Sequence, residues 1–138
     1  MAAVLCVDAC LAAKWVVWEP DSDRALDLLA QWESDDVLWI APAFFFAEMG
    51  TIFRKQAARG LVDNLAARDS FEEALRIRVT LAPVPWLRAY DIAASLRHLH
   101  VYDACYLAVA ESVNAEFWTA DVPLHARAAS LFPWVHLL

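Results

Sequence analysis

Short apolar runs alternate with longer stretches of helical periodicity along the chain. The runs from Ala3 to Asp8 and from Val37 to Ala41 are continuously apolar, which predicts strands buried on both faces of a parallel sheet. Three more strands are predicted at Val79 to Ala82, Ala115 to Ala120 and Trp134 to Leu137. The predicted helices cover residues 11–18, 20–32, 42–59, 63–78, 85–98, 102–113 and 122–131. This alternation predicts a three-layer α/β/α fold with a mainly parallel sheet of about five strands.

Proline, glycine and apolar spacing give details of these helices. Pro20 and Pro42 each suit the first turn of a helix, and Gly60 suits the position just past a helix end. Two inward-facing stripes are predicted, one of Leu26, Leu28 and Leu29 and one of Leu65, Phe71 and Leu75. We expect residues 1–138 to form a single domain.

Four carboxylates lie in apolar surroundings at the ends of predicted elements: Asp8, Glu48, Asp103 and Asp121. No Lys or Arg lies within three residues of any of them. A carboxylate in such a setting requires a hydrogen-bond partner, a helix to cap or a cation. Clustered carboxylates are a common way for a protein to hold a divalent cation.

The predicted layout brings these acids to one edge of the sheet. Asp8 and Asp121 follow strands, Asp103 begins a helix, and Glu48 lies about one and a half turns into the helix after the second strand. Open α/β sheets bind ligands at this carboxyl edge. Asp8, Asp103 and Asp121 could equally serve as helix N-caps. Glu48 has no capping explanation, although it could be solvated if its helix were rotated.

Four segments resemble the PIN domain, and within it the VapC-like ribonuclease toxins of type II toxin–antitoxin systems. They are VDACLAAKW at 7–15, PAFFFAEMGTIFRK at 42–55, VYDACYLAVAE at 101–111 and TADVPLH at 119–125. The resemblance implies a Mg²⁺- or Mn²⁺-dependent endoribonuclease that leaves a 5′-phosphate and a 3′-hydroxyl. It also implies an RNA substrate and a cognate antitoxin partner.

By matching position, the resemblance assigns catalytic and metal-binding roles to Asp8, Glu48, Asp103 and Asp121. It assigns a supporting role to Thr119 as a small hydroxyl residue. Two supporting positions depart from the family: Cys10 stands where Ser or Thr is usual, and Thr51 stands where Asn is common. Neither departure removes an acidic ligand.

Three basic residues near the acids are candidate phosphate contacts: Lys14, Lys55 and Arg59. The alternative is a solvated or antitoxin-facing basic stripe. The net charge of −7 argues against a purely electrostatic nucleic-acid binder, but a metal can still bridge carboxylates to phosphate. The role alternatives are a PIN-domain RNA-processing nuclease outside a toxin system, a nuclease acting on structured DNA, and a non-catalytic binding module.

Composition bears on compartment and partners. The three cysteines show no CxxC spacing and are expected to be buried thiols in a reducing cytoplasm. We expect neither a membrane span nor a signal peptide. A hydrophobic content of 61% with seven tryptophans predicts a homodimer or antitoxin interface on the long helix after Pro42 or the Trp-rich second helix. Trp15 is expected in the core, while Trp18 and Trp32 could be core residues or anchors for a partner.

Overall fold

The computed structural model describes residues 2–98 and 100–138. The strands within these residues are β1 Val4–Val7, β2 Leu38–Pro42, β3 Val79–Ala82, β4 Glu116–Thr119 and β5 Val135–Leu137. The helices are α1 Ala9–Ala13, α2 Ser22–Ser34, α3 Phe45–Ala58, α4 Asn64–Ala74, α5 Trp86–Leu96, α6 Tyr102–Ser112 and α7 Val122–Ala128. Among the described helices, none is both long enough and apolar enough to cross a membrane.

The strands form one parallel sheet in the order β3-β2-β1-β4-β5. Strand β1 lies at the centre, with Cys6 opposite Ile40 of β2 on one side and Phe117 of β4 on the other. The predicted three-layer α/β/α fold with about five parallel strands is confirmed. Because all strands run the same way, their carboxyl ends meet at a single edge.

Alternate strand residues belong to separate apolar clusters on the two faces of the sheet. Cys6 and Phe117 pack into the larger cluster, with residues of α3, α5, α6 and α7. Leu5 and Val7 pack into the smaller cluster, together with Trp32 of α2. Helix α6 is buried from Ala104 to Ala110 on every side, as expected for a helix at the centre of a layer.

Several predicted helix ends are wrong, and local hydrogen bonds explain the differences. Helix α1 begins at Ala9 because Asp8 caps it, and it ends at Ala13 rather than Trp18. Pro20 lies outside α2, which begins at Ser22 after a left-handed Asp21 with φ of 68°. Pro42 is the last residue of β2 instead of the first residue of a helix. Gly60 does follow the end of α3, with φ of 72°, as predicted.

The predicted apolar stripes are also corrected. Leu65 in α4 and Leu75 just after it are exposed, and Ala67 and Ala74 are buried instead. The cause lies at Phe71, whose ring reaches α3 at Gly50; a Cβ on Gly50 would lie 2.9 Å from the Phe71 Cε2 atom. The two helices therefore approach through small residues, and the leucines are left on the outer side.

The helices predicted to carry a partner interface bury much of their apolar surface within the chain. Helix α3 buries Phe45, Met49 and Phe53, so its apolar face is already occupied within the chain. In α2, Ala25 and Trp32 are buried, while Leu26 is exposed and Leu28 and Leu29 are half-buried. Trp15 packs between Trp32 and Trp39, as expected of a residue at the core, whereas Trp18 is exposed.

Candidate active site

A cleft of about 440 Å³ opens at the carboxyl edge of the sheet. All four candidate acids line it, although they come from separate segments: Asp8, Glu48, Asp103 and Asp121. The remaining lining residues include Cys10, Phe44, Thr51, Ile52, Lys55, Tyr102 and Tyr106. The structure thus brings the acids together around one cavity, with apolar and aromatic walls between them.

Asp8 is fixed at the end of β1 by hydrogen bonds to both of its carboxylate oxygens. Oδ1 accepts from the Leu11 amide at 2.9 Å and from the Cys10 thiol at 3.1 Å. Oδ2 accepts from the hydroxyl of Thr119. The side chain is buried, at 6% exposure, so these donors replace the water that a carboxylate would otherwise bind. Cys10 and Thr119, the two residues predicted to support the site from these segments, therefore both contact Asp8 directly.

Asp121 is held by a helix cap and by strand β4. Its Oδ1 accepts from the Leu124 amide at 3.0 Å, which caps α7. Its own amide donates to Thr119 Oγ1 at 2.9 Å. Asp121 therefore both caps a helix and lines the cleft, and Asp8 does the same.

Asp103 does not cap its helix. Val101 occupies the N-cap position of α6, and Asp103 lies in the first turn with a partly exposed side chain. The carboxylate Oδ2 lies 3.7 Å from His98 Nε2. The N-cap alternative is therefore wrong for Asp103, whose carboxylate is left to the cleft and to its basic neighbour.

Glu48 faces the other three acids from the first turn of α3. Its Oε1 atom is buried and has no hydrogen-bond partner among the described residues. The Tyr106 hydroxyl lies close enough to favour the ionised carboxyl, yet it is itself buried without a completed hydrogen bond to a described group. A buried carboxylate oxygen without a donor is costly, and a bound cation would satisfy it.

Burial changes the acidity of Asp8 most clearly. It raises the pKa of this carboxyl from its ordinary value of 3.8 to about 6. The hydrogen bonds from Thr119, Leu11 and Cys10 favour the ionised form and oppose the shift. Desolvation outweighs them because the side chain has almost no contact with water.

Glu48 and Asp103 are shifted in the same direction. Burial raises the pKa of Glu48, and repulsion from Asp103 and Asp8 adds to the effect. Burial also raises the pKa of Asp103, with a further contribution from Asp121. Mutual repulsion of this kind is expected where carboxylates converge without a cation between them.

The donor chemistry of the cleft fits a hard divalent cation. The four candidate ligands are carboxylates, and Mg²⁺, Mn²⁺ and Ca²⁺ prefer oxygen donors. In residues 2–98 and 100–138, however, no three His, Cys, Asp or Glu side chains lie close enough together to coordinate one ion. The carboxylates thus surround the cleft at a spacing wider than that of a formed coordination shell.

The candidate supporting and substrate residues are divided between the cleft and other surfaces. Lys55 and Thr51 line the cleft, although the Thr51 hydroxyl donates to the Ala47 carbonyl at 2.9 Å. Lys14 does not line it: its Nζ donates to Glu19 at 3.3 Å and to the Pro20 carbonyl at 2.9 Å. Arg59 is exposed at the end of α3 and does not line the cleft either. Of the three candidate phosphate contacts, Lys55 alone lines the cleft.

Sequence reasoning missed a basic pair beside Asp103. Arg127 of α7 places Nη1 3.0 Å from His98 Nδ1 and 3.2 Å from Nε2, and both residues partly offset the raised pKa of Asp103. Nothing in the local sequence pairs residues that are 29 positions apart. Tyr106 was also missed, although its position one helical turn after Asp103 could have indicated a place on the same face.

Comparisons with known proteins agree with this fold. A PIN domain model matches residues 5–129. A search of curated protein sequences finds no significant match. Among solved structures, PAE2754 from Pyrobaculum aerophilum superposes with a TM-score of 0.65 at 25% identity, over 92% of this chain and 87% of that one.

Two further solved structures share the fold at lower identity. VapC20 of Mycobacterium tuberculosis, a sarcin–ricin loop cleaving toxin, has a TM-score of 0.62 at 18% identity, over 88% of this chain and 93% of that one. VapBC2 from Rickettsia felis, solved with a DNA fragment from its promoter, has a TM-score of 0.61 at 12% identity, over 98% and 97%. Because the matching model spans most of the sequence and the sheet has the predicted topology, the chain belongs to the PIN domain family.

Proposed function

We propose that the chain is a divalent-cation-dependent endoribonuclease that hydrolyses RNA phosphodiester bonds. The observation that carries the proposal is the convergence of Asp8, Glu48, Asp103 and Asp121 on one cleft from four separate segments. Membership of a family whose members are generally nucleases supports it. A non-catalytic scaffold would gain nothing from four converging carboxylates, of which Asp8, Glu48 and Asp103 have raised pKa values.

The four carboxylates are the proposed ligands of Mg²⁺ or Mn²⁺. A bound divalent cation would supply Lewis acidity, neutralising charge on the scissile phosphate and lowering the pKa of a water molecule. Two of the ligands are fixed in advance: Asp8 by its three donors and Asp121 by its helix cap. Glu48 contributes a buried oxygen that has no competing donor among the described residues.

The walls of the cleft have a separate role in this proposal. Phe44, Tyr102 and Tyr106 form edge-to-face contacts along one side, which keeps bulk water away from the carboxylates. Lys55 lies in the same cleft and supplies a cation for a substrate phosphate. Arg127 supplies positive charge on the side of Asp103, next to His98.

The finer part of the proposal is a toxin that a cognate antitoxin controls in the cytoplasm. The toxin role is suggested by VapC20 and VapBC2, whose folds this chain shares. The three cysteines are free thiols, which suits a reducing compartment. An acidic cleft would also attract an arginine from a bound antitoxin.

Helix α5 supports a homodimer as part of the same proposal. It leaves Trp86, Leu87 and Tyr90 exposed at 63%, 84% and 66%. Large apolar side chains clustered on one helix are typical of a surface that a second copy covers. Leu87→Arg should convert a dimer to a monomer in light scattering; an unchanged mass would move the contact to another surface.

Cleavage of RNA is the decisive test. The purified protein should cut single-stranded RNA with Mg²⁺ or Mn²⁺ and should be inactive with EDTA. Asp103→Asn should lose at least a hundredfold in rate while keeping its circular dichroism spectrum, because Asp103 makes no cap or core hydrogen bond. Glu111→Gln is the matched control, because Glu111 also lies on α6 and makes an exposed ion pair with Arg88 of α5. Full activity of Asp103→Asn would contradict the proposal.

A further inference from the structure

The acidic cleft continues into a groove along α3 and α4. A second cavity of about 530 Å³ shares Ala47, Thr51 and Lys55 with the cleft. A third, of about 540 Å³, shares Gly50, Arg54 and Phe71 with the second and ends at Asn64, Ala67 and Arg68. We call this path, from Lys55 to Arg68, the α3–α4 groove.

The cations of the α3–α4 groove are not neutralised within the described part of the chain. No carboxylate oxygen there lies within 4.0 Å of Lys55, Arg54 or Arg68, and Arg54 donates instead to the neutral side chain of Asn64. By contrast, Lys14 and Arg88 each have a carboxylate partner. In a chain of net charge −7, three such cations along one groove suit an anionic ligand.

The floor of the groove is made of small residues and one aromatic ring. Ala47, Gly50 and Ala58 leave space along α3, and the half-buried ring of Phe71 lines both cavities. Gly50 is required for this arrangement, because a Cβ there would meet the ring at 2.9 Å. Basic side chains beside an accessible aromatic ring are the usual combination for binding single-stranded nucleic acid.

We propose that the α3–α4 groove binds the single-stranded RNA segment that flanks the bond cleaved in the acidic cleft. Lys55 joins the two regions because it lines both, and Arg54 and Arg68 bind the phosphates that follow. Phe71 offers its ring to a base. The inference rests on the proposed function, and it names the surface on which that function holds its substrate.

An acidic amphipathic helix from a protein partner would also suit a basic rim over an apolar floor. Continuity with the four carboxylates favours RNA, because a substrate strand entering the cleft must extend beyond the scissile phosphate. The path from Ala47 to Ala58 is about 16 Å long at 1.5 Å per residue, which is room for a few nucleotides.

Salt-dependent RNA binding tests the groove. The probe is a fluorescein-labelled single-stranded RNA about 12 nucleotides long, and the background variant is Asp103→Asn, so that the RNA is not cut. Replacing both Arg54 and Arg68 by Ala should weaken binding and reduce the slope of log K against log salt by about 1.4, or about 0.7 for each lost phosphate contact. Phe71→Leu should weaken binding with the slope unchanged.

The double variant Arg76→Ala, Arg78→Ala is the matched control. It removes the same charge from exposed residues next to the start of β3, away from the cleft. It should leave the RNA affinity and slope unchanged. With Asp103 intact, the Arg54, Arg68 double variant should raise KM for RNA more than it lowers kcat, at an unchanged melting temperature.

Four outcomes would overturn the inference. If the wild-type chain cleaves RNA but the groove variant keeps its slope and KM, the groove is not the substrate path and the proposed function stands. If both double variants reduce the slope of log K against log salt equally, RNA binding depends on the net charge of the chain and not on this groove. If the groove variant loses affinity for a synthetic Glu-rich amphipathic peptide but not for RNA, the groove binds protein. If the wild-type chain neither binds nor cleaves RNA, the proposed function fails as well.

Discussion

The hydroxyl of Thr119 donates a hydrogen bond to Asp8 Oδ2 across 111 residues of sequence. The Thr119 hydroxyl oxygen, Oγ1, in turn accepts a hydrogen bond from the amide of Asp121 at 2.9 Å. The contact exists because β1 and β4 are adjacent parallel strands that end at one edge, with Val7 opposite Trp118. One buried hydroxyl therefore sets the position of two of the four acids relative to each other.

Thr119→Val should lower both activity and stability. Valine keeps the shape but leaves Asp8 Oδ2 and the Asp121 amide without this partner, which costs about 1–3 kcal/mol of unfolding free energy. Activity should fall at least tenfold, because two acids lose their common link. Urea unfolding and RNA cleavage would measure the two effects. Thr119→Ser should recover most of the activity and most of the stability. A valine variant with normal activity would contradict the role of the Thr119 hydroxyl in positioning the two acids.

The convergence of the acids could be predicted from sequence, because it requires only that the strands be parallel and alternate with helices. Each acid follows a strand or begins a helix, and parallel strands bring those positions to one edge. The error on α4 had another cause: the contact between Gly50 and Phe71 decided which face was buried. Contacts between helices are not encoded in the periodicity of either helix.

The basic residues were the least predictable part of the site. Lys14 is sequentially close to Asp8, but Glu19 and the Pro20 carbonyl hold its ammonium group elsewhere. His98 and Arg127 meet only because the fold places α7 next to His98, two residues after α5. Long charged side chains choose among several partners, so spacing in sequence does not determine which one they contact.

Asp8→Asn should stabilise the metal-free protein at neutral pH while abolishing cleavage. The pKa of Asp8 is about 6 in the folded chain and near 3.9 in an unfolded one, so the folded state retains a proton between these values. Its contribution to stability is full below pH 4 and is lost as the pH rises through 6. Above pH 7 the ionised Asp8 therefore lowers the free energy of unfolding by about 3 kcal/mol relative to its value below pH 4. This figure comes from about two pKa units at 1.36 kcal/mol each.

Urea unfolding in EDTA at several pH values between 4 and 8 would test this effect of Asp8. The gain of Asp8→Asn over the wild-type chain should appear between pH 4 and 6 and stay constant above. Asn retains an oxygen for the Leu11 amide, so the cap of α1 is kept. A difference between the two proteins that does not vary with pH would contradict the raised pKa.

Mn²⁺ or Mg²⁺ should raise the melting temperature by several degrees. Binding only to the folded state adds about 2.7 kcal/mol when the cation is at a hundred times its Kd. The shift should be smaller at pH 5 than at pH 7.5, because protons compete for carboxylates whose pKa values are raised. Glu48→Gln should reduce the shift and Glu111→Gln should not; an equal shift in both would place the cation elsewhere.

Tyr106→Phe should leave stability unchanged or raise it by up to about 1 kcal/mol. The Tyr106 hydroxyl is buried and has no hydrogen-bond partner among the described residues, so its removal relieves a desolvation cost. The ring keeps its contacts with Phe44 and Phe117. Tyr102→Phe is the control, since its exposed ring also packs on Phe44. A loss above about 1 kcal/mol in Tyr106→Phe alone would show that this hydroxyl donates to Glu48 in solution.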